Sequence, residues 1–280
     1  MDRYLAALAQ HNPSSVPIAK DVKLVENTEK IAIGRGLWET ASSAPTKFKI
    51  YAADPVADQV GFVGVIQEKN KPVILGARLK VTDGQITEID HLVVRDIKEP
   101  LPASLIDPRP GFLAPVKPSE RTPRKQMLKI AYSYYESIVN NNGILAPFAD
   151  ECQRRENGDP SVNVSQTAEE AKKDNFSVFR RMKCSEQMDT GIWSYITHID
   201  QRRLIAADEE MGLVFAFSMF VHDGVPEVMK IKGVPGITEY PNKYGAFNLP
   251  AAHMFKIRNG KLYEIEAIGY MAKHGIKNGW

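Results

Sequence analysis

The sequence predicts an α+β protein built from two similar domains in tandem. Three observations support this: residues near the start recur in the same order in the second half, a proline-rich segment separates the copies, and each copy combines a helical pattern with several strand-like runs. A chain of 280 residues can form two domains of ordinary size. Two domains, each with its own core, are therefore expected.

The internal repeat consists of colinear identities. The matching residues are Tyr4, Asn12, Pro17, Ala19, Glu26 and Asn27 with Tyr134, Asn142, Pro147, Ala149, Glu156 and Asn157; Ala52-Ala53-Asp54 with Ala206-Ala207-Asp208; and Lys80, Gly84, Glu88 and Ile89 with Lys256, Gly260, Glu264 and Ile265. The spacing between partners grows along the chain, which predicts insertions in the second copy around 159–195 and 223–250. Long insertions in a compact domain often form lids or binding loops.

Prolines mark the boundary between the copies. They are Pro100, Pro102, Pro108, Pro110, Pro115, Pro118 and Pro123. Proline donates no backbone hydrogen bond, so this segment is expected to be an extended linker. We predict a first domain over 1–98, a linker over 99–123 and a second domain over 124–280.

Each copy opens with a helical pattern, over 2–10 and 125–140, in which apolar residues recur every three or four positions. Strand-like runs follow at 47–52, 60–68, 73–81 and 86–94, and at 203–207, 213–221, 252–258 and 262–270. Asp83-Gly84 and Asn259-Gly260 join the last two runs of each copy and are typical of hairpins. A helix followed by an antiparallel meander predicts helices over one face of a curved sheet.

Charge and composition exclude several classes of partner. The 36 basic and 34 acidic residues are mixed along the chain, so no basic block suggests nucleic acid. The start lacks the pattern of a secretory signal, and the longest apolar run, 212–221, is too short to span a bilayer. We expect no membrane partner and a cytoplasmic protein. Cys152 and Cys184 lack metal spacing; reduced thiols are favoured, with a disulfide possible in an oxidising compartment.

The element order, with Arg3-Tyr4-Leu5-Ala6-Ala7-Leu8 in the first helix, resembles the nuclear transport factor 2-like superfamily, which includes SnoaL-like cyclases, ketosteroid isomerase and scytalone dehydratase. Parts of the second copy look like a tandem SnoaL-like family of bacteria and fungi: 148–152, 155–158, 195–197, 202–203, 220–222, 265–267 and 279–280. The resemblance implies two tandem cone-shaped domains, each a curved antiparallel sheet packed with helices around an apolar ligand site. Known bacterial members include cofactor-independent diarylpropane lyases that release formaldehyde from lignin-derived aromatic dimers.

The same resemblance suggests catalytic positions. Ketosteroid isomerase combines a tyrosine on its first helix, a carboxylate base and an acid on a late strand. The matching residues are Tyr134, Glu156 and His253 in the second copy, and Tyr4, Glu26 and Ala77 in the first. Because the first copy has alanine instead of histidine, we expect it to be a scaffold and the second copy to carry the site.

These residue types suit acid–base chemistry. Tyr134 and His253 can stabilise a developing oxyanion, and Glu156 in an apolar cone can accept a proton. His222, at the end of a long apolar strand, is a further candidate acid. Three of them also have a structural alternative: packing of the helix for Tyr134, support of the Asn157-Gly158 turn for Glu156, and a satisfied core position for His253.

Further residues are expected to contact the substrate: Tyr195, His198, Arg202, Phe217, Glu266 and Tyr270. His198 could pair with Asp200 or lie on the surface. Arg202 could anchor a phenolate or carboxylate, or belong to an ion-pair network with Asp208-Glu209-Glu210. Glu266 and Tyr270 share one face of a regular last strand and could both reach the pocket.

No dinucleotide, P-loop, zinc-protease or serine-hydrolase motif occurs, and the six histidines are scattered, so no cofactor and no metal are expected. The leading expectation is a cofactor-independent carbon–carbon or carbon–oxygen lyase acting on an aromatic small molecule. A dehydratase or isomerase with the same groups, and a binding protein without catalysis, are the alternatives. A homo-oligomer is also expected.

Overall fold

Two seven-stranded sheets, one from each half of the chain, form the framework of the protein. The computed structural model describes residues 1–45, 47–173 and 176–280, without the side chains of Ala168 and Lys173. Each sheet curls around a helix that packs against its concave face. This α+β arrangement confirms the predicted fold class. In the described part of the chain, no helix is long and apolar enough to cross a membrane.

The first half begins with one helix and continues into its sheet. The elements are α1 (Asp2–Ala9), β1 (Ile18–Glu26), β2 (Glu29–Ile31), α2 (Leu37–Thr40), β3 (Ala41–Ser43), β4 (Lys49–Asp54), β5 (Gln59–Glu68), β6 (Lys71–Thr82) and β7 (Gln85–Val94). A 3₁₀ turn occupies Pro13–Ser15. The strand order is β2-β1-β7-β6-β5-β3, and β4 also pairs with β5.

Between the sheets the chain runs through α3 (Pro110–Leu113) and 3₁₀ turns at Ala103–Leu105 and Pro118–Glu120. The second half contains α4 (Arg124–Val139), β8 (Phe148–Glu156), β9 (Asp159–Pro160), α5 (Ala168–Lys173), α6 (Ser177–Arg180), α7 (Cys184–Asp189), β10 (His198–Asp208), β11 (Leu213–Asp223), β12 (Val228–Lys230), β13 (Glu239–Pro241), β14 (Ala246–Arg258), β15 (Lys261–Gly269) and β16 (Ala272–Lys273). A further 3₁₀ turn lies at Gly143–Leu145. The strand order is β10-β11-β14-β15-β8-β9; β16 pairs with β14, and β12 with β13.

Both sheets are mixed rather than purely antiparallel. The long strands of the predicted meander are antiparallel, but β1 runs parallel to β7 and β8 runs parallel to β15. Strands β1 and β8 are not predicted from the sequence because both are rich in charged residues and neither follows a regular apolar alternation. The predicted antiparallel pattern is therefore correct for the meander and incomplete for the sheet.

The convex faces of the two sheets pack against each other. The cluster between them contains Phe48 and Ile50 from the first half and Phe215 and Met254 from the second. A Cβ at Gly61 would lie 2.2 Å from the Phe215 ring, so glycine permits this close approach. The two halves therefore pair within one chain.

Reciprocal hydrogen bonds join equivalent positions of the halves. The backbone N–H of Ala53 donates to Asp208 Oδ2 at 3.1 Å, and that of Ala207 donates to Asp54 Oδ2 at 2.9 Å. These residues belong to the repeated Ala-Ala-Asp segments. The halves are thus arranged about an approximate two-fold axis.

The segment between the sheets is more ordered than an extended linker. Its short helical turns bury Leu105, Arg109 and Phe112 against the second half. Apolar side chains among the prolines supply this packing and correct the expectation of a free extended chain. The boundaries at 98 and 124 remain predictions.

Cys152 on β8 and Cys184 on α7 form a disulfide with a Cα–Cα distance of 5.9 Å. Both side chains are fully buried. This corrects the preference for reduced thiols: sequence spacing gave no sign that the insertion folds back and places α7 beside β8.

Candidate functional site

The second half encloses a cavity of about 160 Å³ between α4 and the concave face of its sheet. All four residues predicted to be catalytic line this cavity: Tyr134, Glu156, His222 and His253. Tyr195, predicted to bind substrate, lines it as well. The structure therefore brings together five predicted residues that are far apart in the sequence.

Each polar side chain reaches the cavity from a different element. Tyr134 projects from α4, Arg154 and Glu156 from the end of β8, and His253 from β14. His222 lies near the end of β11. Side chains on a strand alternate between faces, and these strand residues fall on the concave face.

A second, outer chamber of about 600 Å³ adjoins the first. The two chambers share Glu156, Asn157, Trp193 and Tyr195 in their walls. Much of the outer wall comes from the two insertions, including Ile192, Met229, Tyr240 and Tyr244. The carboxylate of Glu156 therefore lies where a ligand passes from the outer chamber to the inner one.

His253 is buried and neutral. Its Nδ1 lies 3.2 Å from the Tyr135 hydroxyl, and its ring stacks on Phe255 at 5.5 Å. Burial, assisted by the positive charge of Arg154, lowers the pKa of His253 to about 3. At neutral pH this imidazole can donate or accept a hydrogen bond, but it is not an imidazolium acid.

His222 is also neutral at physiological pH. Its ring stacks on Phe247 with 3.8 Å between centroids and on Tyr195 at 5.2 Å. Burial lowers the pKa of His222 to about 4, against the opposing effects of a Phe247 backbone hydrogen bond and the Asp223 charge. Its Nδ1 has no hydrogen-bond partner among the described residues. A neutral His222 can donate a hydrogen bond, so its role as a candidate acid stays a prediction.

Tyr134 presents a neutral phenol. Burial raises its pKa to about 12, although the nearby Arg154 guanidinium opposes this shift. Its ring packs against His253 at 5.6 Å and Phe255 at 5.3 Å. Tyr134 can therefore act as a hydrogen-bond donor to a ligand oxygen.

Arg154 is the main feature that the sequence analysis missed. Its side chain is 1% exposed, and its Nε donates to Glu156 Oε1 at 3.0 Å and to Ser161 Oγ at 2.9 Å. Its Nη2 bonds Gln187. The repeat contained a signal: Arg154 corresponds to Leu24, a fully buried apolar residue of the first half. A charged residue at a position that is apolar in the other copy indicates a special role for that residue.

Asn157 has a structural role at the edge of the cavity. Its side chain bonds both backbone groups of Gly269, at 2.9 and 3.0 Å. Asn27 bonds Val93 in the same way in the first half, at 2.9 and 2.7 Å. The repeated asparagine therefore fastens the turn to the last long strand in both sheets.

The first half also has a buried histidine, which corrects its description as lacking one. Ala77 on β6 pairs with His91 on β7, whereas His253 on β14 pairs with Ala267 on β15. The histidine has thus changed places with alanine across equivalent strand pairs. The alignment with ketosteroid isomerase concerns β6 and β14 only, so it does not reveal the histidine on β7.

In the first half the corresponding polar groups satisfy one another. The Tyr4 hydroxyl lies 2.8 Å from His91 Nε2, and His91 Nδ1 lies 3.2 Å from Glu26. Glu26 also accepts from the backbone N–H of Leu37 at 3.0 Å. Trp38 packs edge-on against Tyr4 at 5.3 Å. This closed set of contacts is consistent with a scaffold.

Glu266, Phe217 and Tyr270 face away from the cavity, contrary to expectation. Ala267 occupies the inner face of β15, so Glu266 points outward and pairs with Arg109 at 3.2 Å. Burial, opposed by Arg109, raises the pKa of Glu266 to about 7. Phe217 and Tyr270 pack in the cluster between the sheets. The strand register explains the placements of Phe217 and Glu266, whereas Tyr270 lies beyond the end of β15.

His198 and Arg202 also lie outside the cavity. His198 is exposed and its Nε2 lies 3.4 Å from Asp200, so the predicted pair forms on the surface. Arg202 bonds Glu136 and lies over the Tyr132 ring at 5.0 Å. Its role is structural, although its partner is not the predicted 208–210 segment.

Metal ligation finds no support within residues 1–45, 47–173 and 176–280: no group of three or more His, Cys, Asp or Glu is placed to hold an ion. The polar groups of the cavity can instead donate and accept hydrogen bonds, transfer a proton through Glu156 and hold a negative charge at Arg154.

A protein-family model described as "Domain of unknown function (DUF8021)" matches residues 120–269. A search of curated proteins finds no match. Similar solved structures include candidate polyketide cyclases from Xanthomonas campestris pv. campestris (14% identity, 52% of this chain and 90% of that chain, TM-score 0.29) and Silicibacter sp. TM1040 (11%, 52% and 90%, 0.29). A third is a candidate SnoaL-like polyketide cyclase from Jannaschia sp. CCS1 (10%, 55% and 89%, 0.31). At these values the likeness gives no information on substrate.

Proposed function

The chain belongs to the family described as "Domain of unknown function (DUF8021)", and we propose that it is a cofactor-independent enzyme that transforms an aromatic small molecule by acid–base chemistry. One observation carries the proposal: Tyr134, Glu156, His222 and His253, chosen from the sequence for this chemistry, line one largely apolar cavity. A protected site with a few converging polar groups is typical of small-molecule enzymes.

The sizes of the chambers favour a two-ring substrate. A dry cavity of about 150 Å³ is sufficient to bind benzene, so the inner chamber of about 160 Å³ suits one aromatic ring. The outer chamber of about 600 Å³ can take a second ring. The carbons linking the rings would then lie beside Glu156. Together with the resemblance to diarylpropane lyases, this leads us to propose a lyase acting on a diarylpropane diol.

The reaction has two steps. The ionised phenol donates an electron pair, the benzylic carbon–oxygen bond breaks, and the hydroxyl leaves as water with a proton from the Tyr134 hydroxyl, while the neutral His253 donates a hydrogen bond; the product is a quinone methide. Glu156 then removes the terminal hydroxyl proton, formaldehyde leaves as the carbon–carbon bond breaks, and the electron pair forms the stilbene double bond and restores the phenolate. Transfer of the proton from Glu156 to the Tyr134 oxygen returns both groups to their starting states. The phenol is the electron sink, so this route requires no cofactor.

Product analysis tests the proposal. Incubation with a 1,2-diarylpropane-1,3-diol bearing a free para-hydroxyl should release formaldehyde and a stilbene in equal amounts. Methylation of that hydroxyl should stop turnover. Loss of water or isomerisation without formaldehyde would contradict the lyase and support a dehydratase or isomerase. Tight binding without any product would contradict catalysis.

The homo-oligomer and the cytoplasmic location remain predictions. The Cys152–Cys184 disulfide favours an oxidising compartment over a reducing one. Sedimentation measures the oligomeric state. Thiol titration of protein isolated under alkylating conditions shows whether Cys152 and Cys184 are paired, as expected in an oxidising compartment.

A further inference from the structure

A guanidinium group without a full set of partners lies in the wall of the inner chamber. Of the three nitrogens of Arg154, Nε and Nη2 are bonded, whereas Nη1 is buried and has no hydrogen-bond partner in the described part of the chain. A buried charged donor left unpaired is costly. Its place on the wall of a ligand-sized cavity indicates that a ligand atom completes its contacts.

The fold itself does not require a cation there. Leu24 occupies the equivalent strand position and pairs with Ile89, just as Arg154 pairs with Ile265. Burying an ion pair in place of an apolar residue often gives no gain in stability. The charge at Arg154 is therefore better explained by a ligand than by folding.

The insertion holds this guanidinium in a fixed position. Gln187 on α7 accepts a hydrogen bond from Nη2, and Trp193 lies 4.9 Å from the guanidinium carbon. Gln187 in turn donates to the backbone carbonyls of Ser161 and Phe179 at 2.8 and 2.9 Å. A guanidinium fixed in this way before a ligand arrives loses little freedom on binding.

Glu156 neutralises only one edge of this guanidinium. Its carboxylate bonds Nε at 3.0 Å and is 45% exposed, whereas Nη1 meets no carboxylate among the described residues. His222 and His253 are neutral, and burial keeps Tyr134 and Tyr195 protonated. The Nη1 edge is therefore the place where an anionic oxygen can bind.

We propose that Arg154 binds a single ionised oxygen on the ring that occupies the inner chamber, so that the enzyme selects phenolates. Nε bonds Glu156 and Nη2 bonds Gln187, so the side-on pair of nitrogens that grips a carboxylate with two parallel bonds is already engaged. One anionic oxygen fits the remaining donor. This inference deepens the proposed function and rests on it only for the identity of the ring.

4-Nitrophenol is a suitable probe because its phenolate absorbs visible light and its single ring suits the inner chamber. The pKa of the bound probe should be lower than that of the free probe, and at pH 8 it should bind at least tenfold more tightly than 4-nitroanisole. Arg154→Leu, which installs the residue of the first half, should remove both effects; Arg154→Lys should retain part of them. Equal binding of both probes to the unmodified protein would overturn the proposal, whether or not the variants fold.

Two comparisons make the test specific. Arg155→Leu removes the neighbouring charge, whose side chain bonds the Ser104 carbonyl at 3.3 Å outside the cavity, and should leave the probe titration unchanged. 4-Nitrobenzoate should bind more weakly than 4-nitrophenolate; tighter binding would contradict the single-oxygen contact. A lowered probe pKa without lyase turnover would support the anion site and contradict only the proposed reaction.

Discussion

The hydroxyl of Tyr135 lies 3.2 Å from Nδ1 of His253, and both side chains are buried. This contact fixes the imidazole ring against α4. When the tyrosine donates to Nδ1, Nε2 carries the proton and can donate it in a hydrogen bond to a ligand oxygen.

Tyr135→Phe tests this positioning role. Losing one net hydrogen bond of about 1 kcal/mol should lower turnover by up to about tenfold. The nitrogen NMR shifts of His253 should move toward a mixture of tautomers, which a purely structural role would not produce. Tyr132→Phe, on an exposed position of the same helix, is the control. Unchanged shifts and turnover would contradict the role of Tyr135.

Glu156→Gln and Glu26→Gln are a matched pair in the two halves. Glu156→Gln removes the proposed base and should reduce kcat by about 10²-fold or more, with substrate binding retained. Glu26→Gln should leave kcat unchanged and lower thermal stability, because Glu26 accepts from Leu37 and Arg95. Equal effects of the two variants on kcat would show that the base is misassigned.

The neutral histidines predict a pH dependence of stability. The pKa of His253 is about 3 and that of His222 about 4, each below the ordinary 6.5. Between these values and 6.5 the unfolded chain binds protons that the folded protein does not. The free energy of unfolding contributed by these groups is present above pH 6.5 and is lost as the pH falls toward 4.

His253→Gln isolates one of these contributions. For this variant the free energy of unfolding, measured by urea denaturation between pH 4 and 7, should depend less steeply on pH than for the unmodified protein. The slope should decrease by up to the amount that corresponds to the uptake of one proton on unfolding. Identical slopes would show that His253 is charged in the folded state, in conflict with its burial.

The disulfide should contribute strongly to the stability of the second half. It closes a loop with a sequence separation of 32 residues, which corresponds to roughly 4 kcal/mol in the chain-entropy description. Replacing both Cys152 and Cys184 by serine should lower the free energy of unfolding by about this amount and loosen α7, which carries Gln187. Chemical denaturation with and without reductant measures the effect; a midpoint unaffected by either treatment would contradict it.

The sequence predicted the repeated elements well because their signals are local. The helical spacing, the four strand-like runs and the Asn259-Gly260 turn all recur in the structure. Strands β1 and β8 could not be found in this way because their pairing with the last long strand is long-range. Among the residues lining the cavity, the repeat supplied a template for Tyr134 and Glu156, whereas His253 was predicted from the resemblance and His222 from its strand position.

The incorrect and missing predictions of side-chain positions have a different cause. Phe217 and Glu266 were misplaced because a one-residue difference on a strand reverses the direction of a side chain. Arg154 was missed because an isolated arginine in a charged strand looks exposed; Gln187 and Trp193, brought close by the insertion, enclose it. The exchange of His91 and Ala77 across a strand pair becomes visible only when the pairing is known.

The reciprocal hydrogen bonds of Ala53 with Asp208 and of Ala207 with Asp54 join the two halves as if they were the subunits of a symmetric dimer. This arrangement affects which substitutions such a protein can accept during evolution. In a dimer of identical subunits, each substitution appears in both subunits, so an arginine that benefits one cavity also disrupts the other. Fusion of the two halves removes this coupling. One half can keep Leu24 and a closed interior that supports folding, while the other accepts Arg154 and the instability that comes with it.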